Sequence, residues 1–434
     1  MALDQQRNWD MSMADNLQQV ISQASRMPPP LLEKEKSNET ETTYVNSRPW
    51  RPAVYLPDEI VLEILDYVRR NDRAQQTLHA CTILSRQWYI ATIPFLYAYP
   101  DLYGKNYDPF VRAICPSINL HVRRIALSEL VRVLDMSRLV HQGSKSITAR
   151  LLGRTKDSLE TFVAPQASFA INCFPALAKC KNLRKLDLSL VSEAASLQTL
   201  FNTVKGLRNL KELRLPRSSG FGAKVEPGDI IWPPGLEKLF LSGGIDAHFL
   251  YGVVHLPQTL CELTLEHCPL AKGHAVRQFL ETIAIEGVPL RYLRLSHMPR
   301  LGGHAFDYVL ALLPGLERLS VSVDYISPNL IDQDFQNFPP NHLQLKSLEL
   351  TNSGNPGVED KISPIDIIIA MDDGSLSNLR QVKIAKSLGW HHPLSAEDFG
   401  ALDDQLRDTA KAAQQSVPSE GMPNIRPGAW TIDG

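Results

Sequence analysis

A pattern of a leucine, two variable positions, an aliphatic residue, one variable position and another aliphatic residue occurs eight times between Leu183 and Ile384. Each copy ends in alternating apolar and polar positions, the two-residue rhythm of a strand with one buried face. The copies begin at Leu183, Leu210, Leu236, Leu260, Leu290, Leu316, Leu345 and Leu379. The pattern predicts eight short strands whose aliphatic residues, such as Leu186 and Leu188, face inward.

The spacing between the copies indicates how the strands are connected. Successive copies start 24 to 34 residues apart, and the intervening segments change to helical spacing, as at Val276, Phe279 and Ile283. A unit of this size cannot bury its own apolar side, so neighbouring units must stack. One strand and one helical return per unit is the plan of a leucine-rich repeat. We therefore expect an α/β solenoid, with a curved parallel sheet on the concave side and helices or irregular returns on the convex side.

Two of the units are near duplicates of each other. Residues 263–280 and 293–310 carry the same leucine, histidine, proline, glycine and alanine residues at an offset of thirty positions. The histidines shared by the pair are His267, His274, His297 and His304. They could suggest a metal site, but each recurs at its repeat position, so duplication explains their spacing better than coordination geometry does. Neither a metal nor a cofactor is expected.

Composition and charge exclude several classes of partner. The chain has 434 residues, 44% of them hydrophobic, and a formal net charge of −2. It has neither the basic excess typical of nucleic-acid binding nor a stretch that predicts a secretory signal or a membrane span. The six cysteines lack the spacing of a disulfide framework. We expect reduced thiols, no nucleic-acid or membrane partner, and a cytoplasmic and/or nuclear location.

Ahead of the repeats, residues 56–97 carry three short apolar stripes at helical spacing. Pro57 suits a helix start, where its missing N–H costs nothing, and Asp58 and Glu59 favour the positive end of the helix dipole. Three such helices cannot bury all their apolar side chains among themselves, so a partner surface is expected to cover the rest. The alternative is a helical cap that shields the end of the repeat core.

This segment resembles an F-box. The residues that carry the resemblance are Leu56-Pro57-x-Glu59-Ile60, Ile64-Leu65, Cys81-x-x-Leu84-Ser85-Arg86-x-Trp88 and Leu96-Tyr97. Residues 71–76 depart from the family pattern, because they lack the usual aspartate-leucine start of the second helix. Residues 51–388 as a whole are similar to fungal F-box/leucine-rich-repeat proteins. The resemblance implies an N-terminal three-helix F-box module followed by the solenoid.

The same resemblance implies a function. The chain would be the substrate-recognition subunit of an SCF-type ubiquitin ligase, docked on a Skp-family adaptor and, through it, on a cullin. The residues nominated for adaptor binding are Leu56, Pro57, Ile60, Ile64, Leu65, Cys81, Leu84 and Trp88, some of which must instead hold the three helices together. No catalytic residue is expected. The alternative is a leucine-rich-repeat interaction scaffold that acts without cullin coupling.

The strands nominate a surface for the unknown protein substrate. Side chains at alternate strand positions face outward, and most of them are charged. Arg214, Phe240, Tyr292 and Arg294 differ from the rest because aromatic residues and arginine dominate binding hot spots. These four are the predicted substrate contacts.

Beyond the repeats, Leu394, Phe399, Leu402 and Leu406 fit one amphipathic helix that would cap the last unit. Residues 415–434 are expected to form a loose tail. The predicted organisation is a disordered region at 1–50, the F-box at 51–103, a helical connector with a possible degenerate first repeat at 104–157, the repeat array at 158–388, and the capping helix and tail at 389–434.

Overall fold

A computed structural model describes most of the chain from residue 56 onward. The described residues are 56–71, 73–116, 126–140, 142–193, 196–217, 230–253, 255–332, 342–354, 360–390, 392, 395–416 and 425–432. The disorder predicted for residues 1–50 lies outside them. None of the helices in the described ranges is long and apolar enough to cross a membrane. The chain divides into two compact units, Met1–Asp101 and Leu102–Gly434.

The described residues of the first unit form three helices, which we call the helical module (residues 56–99). The helices are α1 (Asp58–Val68), α2 (Ala74–Thr82) and α3 (Arg86–Ala98). Ser85 caps α3 by accepting a hydrogen bond from the backbone N–H of Trp88. The side-chain amide of Gln75 donates to the carbonyls of Leu96 and Tyr99 and so ties α2 to the end of α3.

The helical module has a small apolar core of its own. Its buried members are Val61, Leu65, Leu78, Cys81, Ala91 and Phe95, against which Leu56, Leu62, Val68, Trp88 and Leu96 pack. The three-helix architecture agrees with the sequence prediction. The stripe of α1 that faces this core is Val61 and Leu65, rather than the Ile60 and Ile64 stripe beside it.

The second unit consists of parallel strands joined mostly by helices and irregular segments. Its helices are α4 (Gly104–Ile114), α5 (Lys145–Thr155), α6 (Phe174–Leu177), α7 (Leu197–Val204), α8 (Ala247–Gly252), α9 (Gly273–Ile285), α10 (Val309–Leu312), α11 (Pro364–Asp372) and α12 (Ala396–Ser416). Short 3-10 helices occur at Ala126–Glu129, Ile171–Cys173, Val323–Tyr325, Pro328–Leu330 and Lys386–Leu388.

Eleven strands form one parallel sheet in which sequence neighbours are also spatial neighbours. They are β1 (Val133–Asp135), β2 (Thr161–Val163), β3 (Lys185–Asp187), β4 (Glu212–Arg214), β5 (Lys238–Leu241), β6 (Glu262–Glu266), β7 (Tyr292–Ser296), β8 (Arg318–Ser322), β9 (Ser347–Thr351), β10 (Gln381–Ala385) and β11 (Gly428–Ile432). This order is what a stack of one-strand units gives. The α/β architecture and this strand order fit the predicted solenoid.

The inward positions of the eight predicted strands are also confirmed. Leu186, Leu213, Leu239, Leu263 and Leu293 are partners along the ladder, and all are fully buried. The residues on either side of each inward leucine form two rows that run across the other face of the sheet. We call that side the open face; the first row contains Lys185 and its ladder partners, and the second contains Asp187 and its ladder partners.

The sheet is longer at both ends than the eight copies of the pattern indicate. At the start, β1 and β2 pair in parallel, so two units precede the clear repeats. At the end, Gly428–Ile432 pair in parallel with β10 as β11. The loose tail predicted for residues 415–434 is therefore wrong for this segment. Its strand is recognised only through its pairing, because one short segment without the leucine pattern carries no repeat signal.

The predicted capping helix is present as α12. Leu402 and Leu406 on this helix are fully buried, and the helix packs against both α11 and β11. Asp403 of α12 accepts a hydrogen bond from the backbone N–H of Ala429, at 2.8 Å. The C-terminal end of the sheet is thus closed by a helix and a strand together.

Candidate functional site

The helical module exposes a set of large apolar side chains. Ile60, Ile64 and Tyr67 are spaced at i, i+4 and i+7 on the outer side of α1, and Ile83 and Leu84 follow α2. Their exposures range from 38% to 77%. We call these five residues the exposed apolar set. Isolated exposed apolar residues are normal, but several on one module of fewer than fifty residues mark a surface that binds a partner.

The structure separates the eight nominated adaptor residues into three groups. Pro57, Ile60, Ile64 and Leu84 are exposed, and Leu56 and Trp88 are partly buried against the module core. Leu65 and Cys81 lie inside that core, where a docked protein cannot reach them. Sequence reasoning did not nominate Tyr67 and Ile83. The only sequence signal for these two residues is that each is apolar and lies next to a stripe of buried residues.

The start of α1 is held in a defined place within the module. The side-chain amide of Gln87 on α3 donates to the carbonyl of Leu56, at 2.7 Å, and to the carboxylate of Asp58, at 2.6 Å. Since Leu56 and Pro57 precede the first turn, these two bonds tie the start of α1, from which Ile60 projects, to α3.

On the open face, the charges of the first row neutralise one another. Lys185 pairs with Glu212 at 3.0 Å, and Lys238 pairs with Glu262 at 2.9 Å. Glu262 also pairs with Arg318 at 3.2 Å, although Tyr292 lies between them in the ladder. The Arg318 guanidinium therefore lies over the Tyr292 ring, 4.9 Å from its centroid.

The second row brings two of the nominated substrate contacts together. The Arg214 guanidinium lies 4.0 Å from the centroid of the Phe240 ring, an arrangement that binds a cation to an aromatic face. Arg214 also pairs with Glu212 at 2.9 Å and with Asp187 at 3.5 Å. Arg214 and Phe240 thus form one unit on neighbouring strands.

The other two nominated contacts lie further along the sheet. Tyr292 and Arg294 belong to the same strand, and Arg294 reaches across Ser320 to Glu349, at 3.2 Å. Arg294 also approaches Glu266, at 3.6 Å. The four nominated residues therefore fall into two groups, with Thr264 of β6 between Phe240 and Arg294 in the second row.

The ion pairs shift the ionisation of the groups that they join. Burial alone would raise the pKa of Glu212, but hydrogen bonds from Lys185 and Arg214 lower it below its usual range. Burial lowers the pKa of Arg294, and the nearby carboxylate of Glu266 and the Tyr292 hydroxyl raise it further than burial lowers it. Both side chains are held charged, so a ligand that approaches this face meets paired charges.

The cysteines have the properties of buried structural residues. All six are free thiols, and five are buried. Burial raises the pKa of Cys180 and of Cys268 to about 12, so these thiols stay protonated at neutral pH. A protonated thiol is neither a nucleophile nor a metal ligand.

The four repeated histidines do not share one environment. His267 and His297 stack, with ring centroids 4.4 Å apart. His274 lies near Tyr251, whereas His304 pairs with Asp307 at 2.9 Å. The expectation that no metal binds here stays a prediction. The proximity of His267 and His297 could not be read from the duplication alone.

Comparison with known proteins gives two fungal relatives. No protein-family model matches the chain. "F-box protein YDR306C" of Saccharomyces cerevisiae is 34% identical over 336 residues, which cover 75% of this chain and 66% of that protein. "Protein pof5" of Schizosaccharomyces pombe is 29% identical over 340 residues, covering 77% of this chain and 91% of that protein. The match thus spans just under two thirds of the first relative's length.

The comparison with solved structures gives one yeast complex. In the crystal structure of the Rad7 and Elc1 complex in yeast, one chain aligns with a TM-score of 0.43 and 15% sequence identity, covering 87% of this chain and 93% of that chain. Over three quarters of its length, the chain is similar to a fungal F-box protein.

Proposed function

We propose that this chain is the substrate-recognition subunit of an SCF-type ubiquitin ligase. The helical module, as an F-box, docks on a Skp-family adaptor that connects it to a cullin, and the open face of the repeats holds the protein to be ubiquitinated. The observation that carries the proposal is the exposed apolar set on a module with its own buried core. Exposed apolar side chains gain free energy when a partner of matching apolar character covers them.

In this arrangement the chain contributes proximity rather than chemistry. A substrate held on the repeats places its lysines near a charged ubiquitin-conjugating enzyme on the same assembly. Holding two reactants on one scaffold raises their effective concentration, often into the millimolar range for linked sites. No residue of the chain needs to touch the reacting atoms.

The adaptor interface is tested by co-purification of the full chain with the Skp-family adaptor and the cullin. We expect the wild type to capture both proteins. Ile83→Ser combined with Leu84→Ser should abolish the capture, because both side chains are exposed and contribute only to a partner surface. The matched control is Ile285→Ser, which removes an isoleucine that is 86% exposed on α9. That variant should capture both partners as the wild type does.

The other outcomes identify the alternatives. Capture of the adaptor without the cullin would favour a complex that is not a ligase. Capture of neither partner by a folded chain would leave an interaction scaffold, and the proposal would be wrong. Equal capture by wild type and double variant would mean that the adaptor binds elsewhere than on the exposed apolar set.

The substrate surface is tested by Phe240→Ala combined with Arg294→Ala. Together they remove one member of each group of nominated contacts, while the inward leucines of β5 and β7 are unchanged. We expect loss of the proteins that crosslink to the repeats of the wild type, with adaptor capture preserved. Unchanged crosslinking in this folded variant would exclude the middle of the open face as the substrate site.

A further inference from the structure

A cluster of three metal-ligating side chains lies where β6 and β7 end on the open face. Glu266 is the last residue of β6, His267 follows it, and His297 follows the last residue of β7. One ligand atom of each residue lies within 4.8 Å of those of the other two. Glu266 Oε1 is 3.9 Å from His267 Nε2 and 3.7 Å from His297 Nδ1.

Backbone geometry places the two imidazoles side by side. His267 and His297 both have left-handed backbone conformations, with φ of 54° and 53°. Gly243 follows β5 at the corresponding position with φ of 79°. The turn therefore requires a left-handed residue, for which glycine is the least strained choice. The next two units place histidine there, so their rings project from equivalent points on adjacent strands.

Two polar atoms at the C-terminal end of β7 have no hydrogen-bond partner among the described residues. The first is Nδ1 of His297, which is itself one of the three ligand atoms. The second is Oγ of Ser296, a fully buried residue directly opposite Glu266 in the ladder. Buried polar groups in folded proteins are nearly always satisfied, so each unsatisfied group calls for a water, an ion or another ligand.

The segment that follows β9 is hydrogen-bonded to the residue that follows β7. The backbone N–H of His297 donates to the Ser353 hydroxyl at 2.9 Å, although Ser353 follows β9, two units further on. The backbone N–H of Ser353 in turn donates to the Ser322 hydroxyl, at 3.0 Å, and to the Asp324 carboxylate, at 2.8 Å. The end of β7 is thus fixed from a distant part of the sequence, and His297 is held in position.

We propose that Glu266, His267 and His297 bind a transition metal ion of the Zn²⁺ type. Two imidazole nitrogens and one carboxylate oxygen are a ligand set that Zn²⁺ uses, and a fourth position stays open for water or for a residue of a bound protein. Zn²⁺ takes these ligands at about 2.0–2.2 Å, which places tetrahedral donor atoms about 3.4 Å apart. The three side chains reach that spacing by rotating toward one another.

A positively charged side chain lies beside the cluster. The Arg294 guanidinium, 3.6 Å from Glu266, opposes a second cation. It also pairs with Glu349 at the shorter distance of 3.2 Å, so it can leave Glu266 without losing its other carboxylate.

The probe is Zn²⁺ itself, titrated into the full metal-free chain by calorimetry, with Co²⁺ absorption to report tetrahedral coordination. We expect one site per chain, and a loss of about tenfold or more in affinity for each of His267→Asn and His297→Asn. Asparagine tolerates the left-handed backbone, so the turn is kept. The matched controls are His255→Asn and His304→Asn, two histidines that also have positive φ, of 55° and 63°.

The controls should bind Zn²⁺ as tightly as the wild type. Arg294→Gln should bind it more tightly, because the opposing charge beside Glu266 is removed. Absence of Zn²⁺ binding in the wild type would overturn the proposal, and so would equal affinity in the wild type and both test variants. A decrease in affinity in Arg294→Gln would exclude the position beside Glu266. Thermal unfolding of each variant without metal establishes that the turn is intact.

Discussion

The helical module and the repeat sheet place their apolar residues differently. In the sheet, each inward leucine is fully buried between its neighbours in the ladder, and the residues on the open face are largely paired charges. In the module, α1 buries Val61 and Leu65 but exposes Ile60 and Ile64 one position away. The sheet satisfies its own apolar and charged groups, whereas the module leaves apolar groups to be covered.

This difference indicates two kinds of binding. A surface of exposed aliphatic side chains gains binding energy mainly from burial, and it suits a constant partner such as an adaptor. A surface made mostly of paired charges gains less from burial, and it selects a partner by the arrangement of its groups. The division of labour in the proposed function follows from these two chemistries.

The strongest test compares an aspartate at an inward position with one in the exposed apolar set. Leu293→Asp places an unpaired charge inside the ladder and should cost about 4 kcal/mol or more in the free energy of unfolding. Ile83→Asp should change it by about 0.5 kcal/mol at most, because Ile83 is 77% exposed. Chemical denaturation followed by circular dichroism measures both. Normal unfolding of Leu293→Asp would contradict the inward assignment.

A second test lies within the module, on two consecutive residues. Leu65→Ala removes a fully buried side chain of the module core and should cost about 2–5 kcal/mol. Ile64→Ala should cost little stability but should weaken adaptor capture. Thermal unfolding and co-purification of the same preparations separate the two effects. If both variants lost stability equally, the division of α1 into a core stripe and a partner stripe would be wrong.

A third test concerns the last strand of the sheet. Gly428 has φ of 114°, and a Cβ there would lie 2.5 Å from the Asp403 carboxylate that holds the backbone of Ala429. Gly428→Ala should therefore cost about 1–3 kcal/mol and release β11, seen as faster amide exchange at residues 429–432. The control is Gly400→Ala in α12, which has space for a Cβ and should be slightly stabilising.

The smallest effect is expected for one charge of the open face. Glu212→Gln should cost about 0.2–1 kcal/mol at pH 7, because the pair with Lys185 is only partly shielded from water. The folded-state pKa of Glu212 is lowered, so the contribution is complete above the unfolded pKa and is lost as pH falls through the folded value. The stability difference between wild type and variant should therefore shrink below about pH 4. A difference that persists at pH 2 would indicate a packing effect.

The repeat register was accessible from the sequence because it depends on local periodicity. Alternation within each leucine pattern defines which residues face inward, and stacking of similar units leaves one strand order. The same rule identified Arg214, Phe240, Tyr292 and Arg294 as open-face residues, and each is partly exposed there. It could not show that Arg214 lies over Phe240, because rotamers depend on the neighbouring strands.

In the helical module, periodicity alone does not show which side chains face the core. On a short helix, Ile60, Val61, Ile64 and Leu65 lie on adjoining stripes, so either stripe could face the core. Only the packing of α2 and α3 decided that Val61 and Leu65 do so. The same packing also decided that Tyr67 and Ile83 are exposed.

The sequence by itself determined the stacked α/β repeats, the inward leucines and the resemblance to an F-box, since each of these is written in residues close together along the chain. The tertiary structure alone decided the eleventh strand, the pairing of charges across the open face and the cluster of Glu266, His267 and His297. These features join residues that are tens of positions apart. Their distances depend on how neighbouring units stack, and no local pattern encodes that spacing.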